Sequence, residues 1–317
     1  KSGWVNWLAT FLTTMQKNTL ALIKSYFRHL NMKKILILLL SAGLLVSCGD
    51  TTKTRTIRLA HTLDLTHPVH KAIVRFSEIL EKKSGGKMTI EIYPNGQLGS
   101  ERECLELMQI GSLDLTKVSA STMENFSPDY RVLGLPYIFR DSSHINKVLT
   151  GEIGRRLLRQ GERYWLRGLC FYDAGSRSFY SKEKPIESPS DLKGLKVRVM
   201  NSKTAFDMIQ AMGGSPTPVS WGELYTALQQ GVVDVAENNP PSFYTSKHYE
   251  ICKYYSIDRH TSVPDVLLVS THLWDKLNDQ EKKWLQEAAD ESVPYEKKVW
   301  AEAVEESLHA VKEAGVE

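Results

Sequence analysis

The sequence predicts an α/β protein of two lobes, each built on a sheet that helices cover. Two runs of alternating strand and helix patterns support this class, one from about residue 55 and the other from about residue 167. A long helical pattern over 279–314, with Glu and Lys three or four residues apart, follows the second run. Since no internal repeat or low-complexity linker interrupts the chain, we expect the two lobes to share one spine.

The first run alternates three strands with two helices. Gly85 and Gly86 mark the end of the first helix, and Ser100 with Glu103 forms a capping-box pattern at the start of the second. Because strands alternate with helices, we expect a mainly parallel sheet that binds ligand beyond the carboxyl ends of its strands. The strands are predicted at 57–61, 88–93 and 113–118, and the helices at 67–83 and 100–110.

The second run repeats this alternation. Residues 169–180 are apolar and aromatic enough for one long strand that crosses between the lobes, and Ser220 with Glu223 forms a second capping-box pattern. Residues 254–274 are expected to return as extended chain. Further strands are predicted at 195–200 and 232–237, and helices at 202–212 and 221–230. The expected lobe boundaries are 55–173 with 265–304 for lobe I, and 174–264 with 305–317 for lobe II.

The N-terminal region has the pattern of an export signal. Met32-Lys33-Lys34 precedes an apolar stretch that is shorter than the roughly 20 residues of a membrane-spanning helix. The following Leu45-Val46-Ser47-Cys48 resembles a lipobox, which implies lipidation of Cys48 and a lipid anchor in the membrane. A plain signal peptide with a chance cysteine is the alternative. We therefore predict a lipoprotein signal peptide at 32–47, a tether at 48–54, and a location in the periplasm.

The distribution of charge argues against a nucleic-acid partner. The chain has 40 Lys and Arg against 37 Asp and Glu, but residues 1–47 hold six of the basic residues and no acidic one. From Cys48 onward the balance is 34 against 37, a net charge of −3, so the basic excess belongs to the part that we expect to be removed. We interpret residues 1–31 as upstream sequence translated in error, with a long basic leader as the alternative.

Sequence motifs for catalysis, cofactors and metals are absent. The sequence has no GK[ST] phosphate loop, no GxGxxG after a strand, no GxSxG and no HExxH, so we expect no cofactor, no metal and no enzymatic activity. His67 and His70 share a helix face, which we interpret as a helix-start cluster rather than a metal site. For Cys104, Cys170 and Cys252 we prefer buried free thiols over a disulfide between two of them.

Two arginines lie within strand patterns that a sheet would bury. Arg177 has apolar and aromatic neighbours, and Arg198 alternates with valine. A buried guanidinium needs an anionic partner, and its planar fork suits a carboxylate. The partner is either a ligand carboxylate or an internal Asp or Glu, and the residues alone leave both open.

Several short motifs occur together in a fixed order. They are 93–99 (YPNGQLG), 111–114 (GSLD), 135–137 (LPY), 191–198 (DLKGLKVR), 215–218 (SPTP), 223–229 (ELYTALQ) and 233–238 (VDVAEN). From about residue 55 to its end, the chain thereby resembles the solute-binding proteins of TRAP (tripartite ATP-independent periplasmic) transporters, DctP type. The resemblance implies a two-lobed periplasmic-binding-protein fold with a ligand cleft between the lobes. It also implies a small organic acid as ligand and the membrane subunits of a TRAP permease as partners.

The resemblance also implies roles for particular residues. Arg198 takes the position of the family's signature arginine and is expected to hold the ligand carboxylate, while Arg177 takes that of a supporting arginine. Glu237 is expected to support the site rather than to touch ligand. The other expected ligand-binding residues are Asn238, Trp221, Glu101 and His61, with Lys117, Ser119, Asn239 and His260 as looser candidates.

Two features depart from the family pattern, and one stretch indicates the ligand. Val235 stands where most relatives have Gly, and the chain ends at Glu317, sooner than the family usually does, so we expect the back of lobe II to be incomplete. Residues 237–250 are similar to relatives that take hexuronates, which favours D-glucuronate or D-galacturonate. C4-dicarboxylates and other organic acids remain alternatives, as do a sensor for a membrane kinase and an exported enzyme that acts on a sugar acid.

Overall fold

A computed structural model of the protein describes residues 11, 14–22, 24–25 and 54–317. The predicted signal peptide, Cys48 and all of the predicted tether except Thr54 lie outside the described residues. The chain divides into two compact units, Lys1–Lys53 and Thr54–Glu317, and the described residues of the first unit are helical and exposed. Among the described residues, no helix combines the length and the apolar character needed to cross a bilayer.

Ten strands within residues 54–317 form two sheets. The strands are β1 (Arg55–Ala60), β2 (Met88–Tyr93), β3 (Leu115–Ser119), β4 (Leu166–Tyr172), β5 (Arg177–Ser181), β6 (Lys196–Val199), β7 (Ser215–Pro218), β8 (Val235–Asn238), β9 (Tyr254–Thr261) and β10 (Asp265–Ser270). Sheet I has the order β2-β1-β3-β10-β4, and sheet II has the order β7-β6-β8-β5-β9. We call the parts of the chain built on these sheets lobe I and lobe II. The predicted two-lobed α/β class is confirmed.

Each sheet combines parallel with antiparallel pairs. In sheet I, β1 pairs in parallel with β2 and β3, whereas β10 pairs antiparallel with β3 and β4. In sheet II, β6 pairs in parallel with β7 and β8, and β5 pairs antiparallel with β8 and β9. The prediction of a mainly parallel sheet is therefore wrong for half of the pairs, because one strand in each sheet, β10 in sheet I and β5 in sheet II, runs against both of its neighbours.

The chain crosses between the two sheets at two places. β4 of sheet I ends at Tyr172 and β5 of sheet II begins at Arg177, so the single strand predicted over 169–180 is wrong, although the predicted crossing is present. Gly175 interrupts the strand, because its φ of +58° is not extended and its N–H donates to Oδ1 of Asp173 at 2.8 Å. The second crossing joins β9 to β10.

Helices cover the sheets, and several of their ends follow the predicted signals. The helices within residues 54–317 are α1 (Pro68–Ser84), α2 (Glu101–Gln109), α3 (Ala120–Met123), α4 (Ser142–Thr150), α5 (Glu152–Gln160), α6 (Lys203–Ala211), α7 (Leu224–Gln229), α8 (Pro240–Thr245), α9 (Thr271–Trp274) and α10 (Asp279–Glu313). Helix α1 ends at Gly85, which has a φ of +61°. The capping box of Ser100 and Glu103 is present at the start of α2.

Two other predicted boundaries are wrong. The N–H of Glu223 donates to the carbonyl of Ser220 in a short 3-10 turn, so it is not available to the Ser220 side chain and no capping box forms. Helix α7 consequently begins only after this turn. The extended chain predicted over 254–274 ends at Ser270, whose hydroxyl accepts the N–H of His272 and starts α9.

The predicted helical tail forms one 35-residue helix, α10, that contributes to the cores of both lobes. Leu285 and Trp300 pack into the core of lobe I, whereas Val311 packs into the core of lobe II. The helix therefore ties the lobes together, as the predicted shared spine requires. The three predicted free thiols, Cys104, Cys170 and Cys252, are buried and unpaired in this part of the chain.

Candidate ligand-binding site

A cavity of about 280 Å³ lies between the two sheets. Residues at or just after the carboxyl ends of β1, β3, β6 and β8 line it, which is the position predicted for a ligand in an α/β sheet. Its volume is near the lower limit of the about 300–1,000 Å³ that sites for small molecules usually have. Eight of the ten predicted ligand-binding residues line it: Glu101, Lys117, Ser119, Arg177, Arg198, Trp221, Asn238 and Asn239.

Arg198 presents a buried guanidinium to the cavity without an acidic partner. The residue lies on β6 and is 2% exposed. Its Nε donates to the carbonyl of Val219 at 3.0 Å, while Nη1 has no hydrogen-bond partner among the described residues. The guanidinium carbon lies 5.6 Å from the centre of the Trp221 ring. Burial lowers the pKa of Arg198, and a buried charge of this kind is costly until an anion pairs with it.

Arg177, by contrast, already has an internal carboxylate. Its Nη2 donates to Oε1 of Glu237 at 2.8 Å, and its Nε also bonds to this carboxylate. Burial alone would raise the pKa of Glu237, but Arg177 and His260 together lower it to about 2. Nη1 of Arg177 donates to Oδ1 of Asn238 at 2.8 Å, and the N–H of Asn239 occupies the same oxygen. The amide nitrogen of Asn238 is therefore available to donate to a ligand.

Lobe I contributes a wall of paired charges. The Lys117 ammonium lies 3.2 Å from Oε1 of Glu101 and 3.2 Å from Oδ2 of Asp265. Burial would lower the pKa of Lys117, but the two carboxylates raise it above its usual value. Glu101 is fixed further by the N–H of Ser119 at 3.2 Å and the hydroxyl of Thr122 at 2.7 Å. The wall can therefore both donate to and accept from ligand hydroxyl groups.

Arg198 is the only cation without a carboxylate partner in the cavity lining, all of which belongs to the described residues. The other lining cations are paired, Lys117 with Glu101 and Asp265, Arg177 with Glu237, and Arg102 with Glu106. His67 also lines the cavity, but burial lowers its pKa well below the usual value, so it is neutral. The cavity thus has one positive charge without a carboxylate partner, which suits one carboxylate.

Two predicted residues, His61 and His260, do not line the cavity. Nδ1 of His61 accepts the N–H of Leu63 at 3.1 Å, so the ring proton is on Nε2, which donates to Nδ1 of His70 at 3.0 Å. His260 lies behind Glu237, and its Nδ1 is 2.8 Å from a carboxylate oxygen of Asp258. Sequence position alone did not separate residues in the cavity from residues behind it.

The sequence interpretation missed several polar lining residues, including His67, Thr122, Ser242 and Asp265. Asp265 begins β10, directly before the apolar residues of that strand, and a buried acid at such a position signals the need for a partner. His67 does start α1, as predicted, because its Nδ1 accepts the N–H of Val69. Its Nε2–H also donates to the hydroxyl of Ser242 in lobe II at 3.1 Å. No cluster of three His, Cys, Asp or Glu side chains in the described part of the chain is arranged to hold a metal ion.

The fold and the cavity together define a two-lobed receptor for a small solute. Residues 59–317 match the family described as bacterial extracellular solute-binding protein, family 7 (DctP). The chain belongs to this family, and the predicted membership among the solute-binding proteins of TRAP transporters is confirmed. The family places the receptor outside the cytoplasmic membrane, in the periplasm.

Solved structures and curated relatives support the same class. The chain is similar to a TRAP periplasmic solute-binding protein of Bradyrhizobium in complex with α/β-D-galacturonate, at 42% identity and a TM-score of 0.82 over 83% of this chain and 88% of that one. A TRAP solute-binding protein of Roseobacter denitrificans with bound β-D-glucuronate is 36% identical, with a TM-score of 0.80 over 82% and 86% of the two chains. The C4-dicarboxylate-binding periplasmic protein DctP of Rhodobacter capsulatus is 34% identical over 82% of this chain and 78% of its own.

Proposed function

We propose that this protein binds a sugar acid, D-glucuronate or D-galacturonate, and delivers it to the membrane subunits of a TRAP transporter. The observation that carries the proposal is the buried guanidinium of Arg198, which faces the cavity without a carboxylate partner. The uronates bound to the similar Bradyrhizobium and Roseobacter proteins support the choice of ligand. On this proposal the protein binds and releases its ligand without changing it.

The carboxylate of the ligand would pair with Arg198. Since Nε of this arginine already donates to Val219, the two terminal nitrogens remain for the ligand. Such charge-assisted pairs are about twice as strong as hydrogen bonds between neutral groups. The Trp221 ring beside the guanidinium gives the sugar ring an apolar surface to lie against.

The remaining polar groups of the cavity suit hydroxyl groups rather than a second carboxylate. Asn238 offers a donor, and Glu101 with Asp265 offers acceptors beside the Lys117 ammonium. Glu101 and Asp265 already have protein partners, whereas the buried amide nitrogen of Asn238 costs about 1–3 kcal/mol if a ligand leaves it without one. A second carboxylate would meet two acids rather than a second unpaired cation. A C4-dicarboxylate is the second candidate ligand, because the similar Rhodobacter protein is named for binding one.

A thermal-shift screen of the purified protein tests the proposal. It compares D-glucuronate, D-galacturonate, succinate, pyruvate and neutral D-galactose. A ligand at 100 times its dissociation constant stabilises the folded state by about 2.7 kcal/mol. This corresponds to a shift of a few degrees for a chain of this size. A shift with uronates is expected. A shift with neutral galactose would refute the proposal, and so would the absence of a shift with every acid. A shift with succinate alone would favour the second candidate.

We also propose that Cys48 carries a lipid anchor and that the lobes comprise 55–173 with 265–304 and 174–264 with 305–317. The lipobox-like sequence before Cys48 supports the anchor, and the assignment of β4 to sheet I and β5 to sheet II supports the first boundary. Cys48→Ser is expected to move the protein from the membrane fraction to the soluble periplasmic fraction and to abolish labelling by palmitate. Unchanged membrane association of this variant would argue against the anchor.

A further inference from the structure

A second set of contacts joins the lobes outside the ligand cavity. Glu124, directly after α3 of lobe I, accepts the N–H of Thr204 in the first turn of α6 of lobe II, at 3.0 Å from Oε1. The amide nitrogen of the adjacent Asn125 donates to the carbonyl of Asn201, again in lobe II. Glu124 is 1% exposed, although it carries a carboxyl group and does not line the cavity. These contacts therefore form only when the two lobes are together.

The position of Glu124 suits the start of a helix. The first N–H groups of a helix have no partner within it, and the positive end of the helix dipole attracts a carboxylate. Within α6, Ser202 accepts the N–H of Ala205 at 3.1 Å, so the helix has its own cap for one of these groups. Glu124 supplies the partner of Thr204 from the other lobe. Most caps come from the same segment of chain, whereas this one depends on the closure of the cleft.

The chain also connects this contact with the proposed ligand-binding arginine. β6 carries Arg198, and the segment after it, with Met200 and Asn201, lines the cavity before α6 begins. A change in the distance between the lobes therefore acts on the ligand contacts and on the α6 contact together. Oε2 of Glu124 has no hydrogen-bond partner among the described residues, which limits the strength of the contact and leaves the cleft able to reopen.

We infer that Glu124 is a positioning residue that holds the cleft closed by capping α6 from the opposite lobe, with or without ligand. The role of Glu124 does not depend on the identity of the ligand, because Glu124 does not line the ligand cavity. A residue that stabilises only the closed conformation raises the affinity for every ligand of the cleft by the same factor. A residue that touches the ligand instead changes the affinity for one acid relative to another.

The test compares Glu124→Ala and Glu124→Gln with the unchanged protein. Loss of a helix cap predicts an affinity for D-galacturonate and for D-glucuronate that is about two- to thirtyfold weaker, by the same factor for both acids. The Gln variant, which keeps an acceptor oxygen, is expected to lose less than the Ala variant. Small-angle scattering of the ligand-free proteins should show a larger radius of gyration for the variants, because the open conformation is more populated.

Glu281→Gln is the matched control. Glu281 accepts the N–H of Asn278 at 2.9 Å at the start of α10, within one capping box. This control is expected to lower the melting temperature without changing ligand affinity or the ligand-free radius of gyration. Equal affinities for the Glu124 variants and the unchanged protein would overturn the inference, as would equal ligand-free radii or an effect on one acid only. If no acid binds, the proposed function fails while the ligand-free scattering still decides the inference.

Discussion

The two arginines of the site should respond in opposite ways to the same substitution. Methionine has a length similar to the stem of arginine but carries no charge. Arg177→Met would leave the buried carboxylate of Glu237 without its ion pair, and breaking one side of such a pair costs about 3–5 kcal/mol. For a chain of this size, 1 kcal/mol shifts the melting temperature by about 2–4 °C. We therefore expect Arg177→Met to melt roughly 6–20 °C lower.

Arg198→Met should leave the ligand-free protein nearly as stable as before. The side chain loses one hydrogen bond, to Val219, worth about 0.5–1.5 kcal/mol. In return the fold no longer buries a charge without a carboxylate partner. Affinity for D-galacturonate should nevertheless fall by about 30- to 4,000-fold, since truncating one partner of a buried charge pair costs about 2–5 kcal/mol.

Calorimetric unfolding of the ligand-free proteins and titration with D-galacturonate measure both effects. Arg75→Met, an exposed arginine of α1, is the control and should change neither quantity. If Arg177→Met does not fold, the double variant Arg177→Met, Glu237→Leu should restore folding, because it removes both charges. A severely destabilised Arg198→Met, or one that keeps its affinity within threefold, would refute the assignment of the two roles.

Two other predictions concern ligand choice and pH. Asp265→Asn removes one acid beside Lys117 and should improve binding of succinate relative to D-galacturonate by about tenfold or more, measured by competition; an unchanged ratio would contradict the charge argument. Burial lowers the pKa of His61 and of His248 to about 3, so both rings stay neutral in the folded protein above that pH. In the unfolded chain both rings become protonated below about pH 6.5. The free energy of unfolding should therefore fall as the pH is lowered from 6.5 towards 3, by about 2 kcal/mol per histidine at pH 5. Urea unfolding at pH 7 and pH 5 measures it, and equal stabilities would contradict the prediction.

Local patterns were sufficient to predict most of the elements and the place where the chain crosses between lobes, but not the break in the strand at this crossing. Gly85 and the capping box at Ser100 determine the ends of their helices through contacts within a few residues, so the sequence contains the whole signal. The strand predicted over 169–180 failed because apolar residues lie on both sides of the break. Only the φ of Gly175 and its bond to Asp173 distinguish two strands in different sheets from one strand.

The same limit applies to the site. The sequence indicated two buried arginines and left open whether each pairs with ligand or with an internal acid. Glu237 is 60 residues from Arg177 in the chain, and the pairing of β5 with β8 decides which arginine it reaches. Arg177 consequently forms an ion pair with Glu237, whereas Arg198 has no acidic partner and remains available for a ligand carboxylate. His260 was expected at the cavity from the family resemblance alone, whereas its contact with Glu237 places it behind the site.

Closure of the ligand-free cleft results from opposing contributions that separate variants can reveal. Arg198 opposes closure, because its guanidinium loses water as the cleft shuts and gains no carboxylate until a ligand is present. Glu124 favours closure through its bond to the N–H of Thr204. Arg198→Met should therefore decrease the ligand-free radius of gyration, whereas Glu124→Ala should increase it, and the double variant should lie between them. If Arg198→Met instead left the scattering unchanged, the unpaired charge would affect affinity alone, and the ligand would close the cleft through its other contacts.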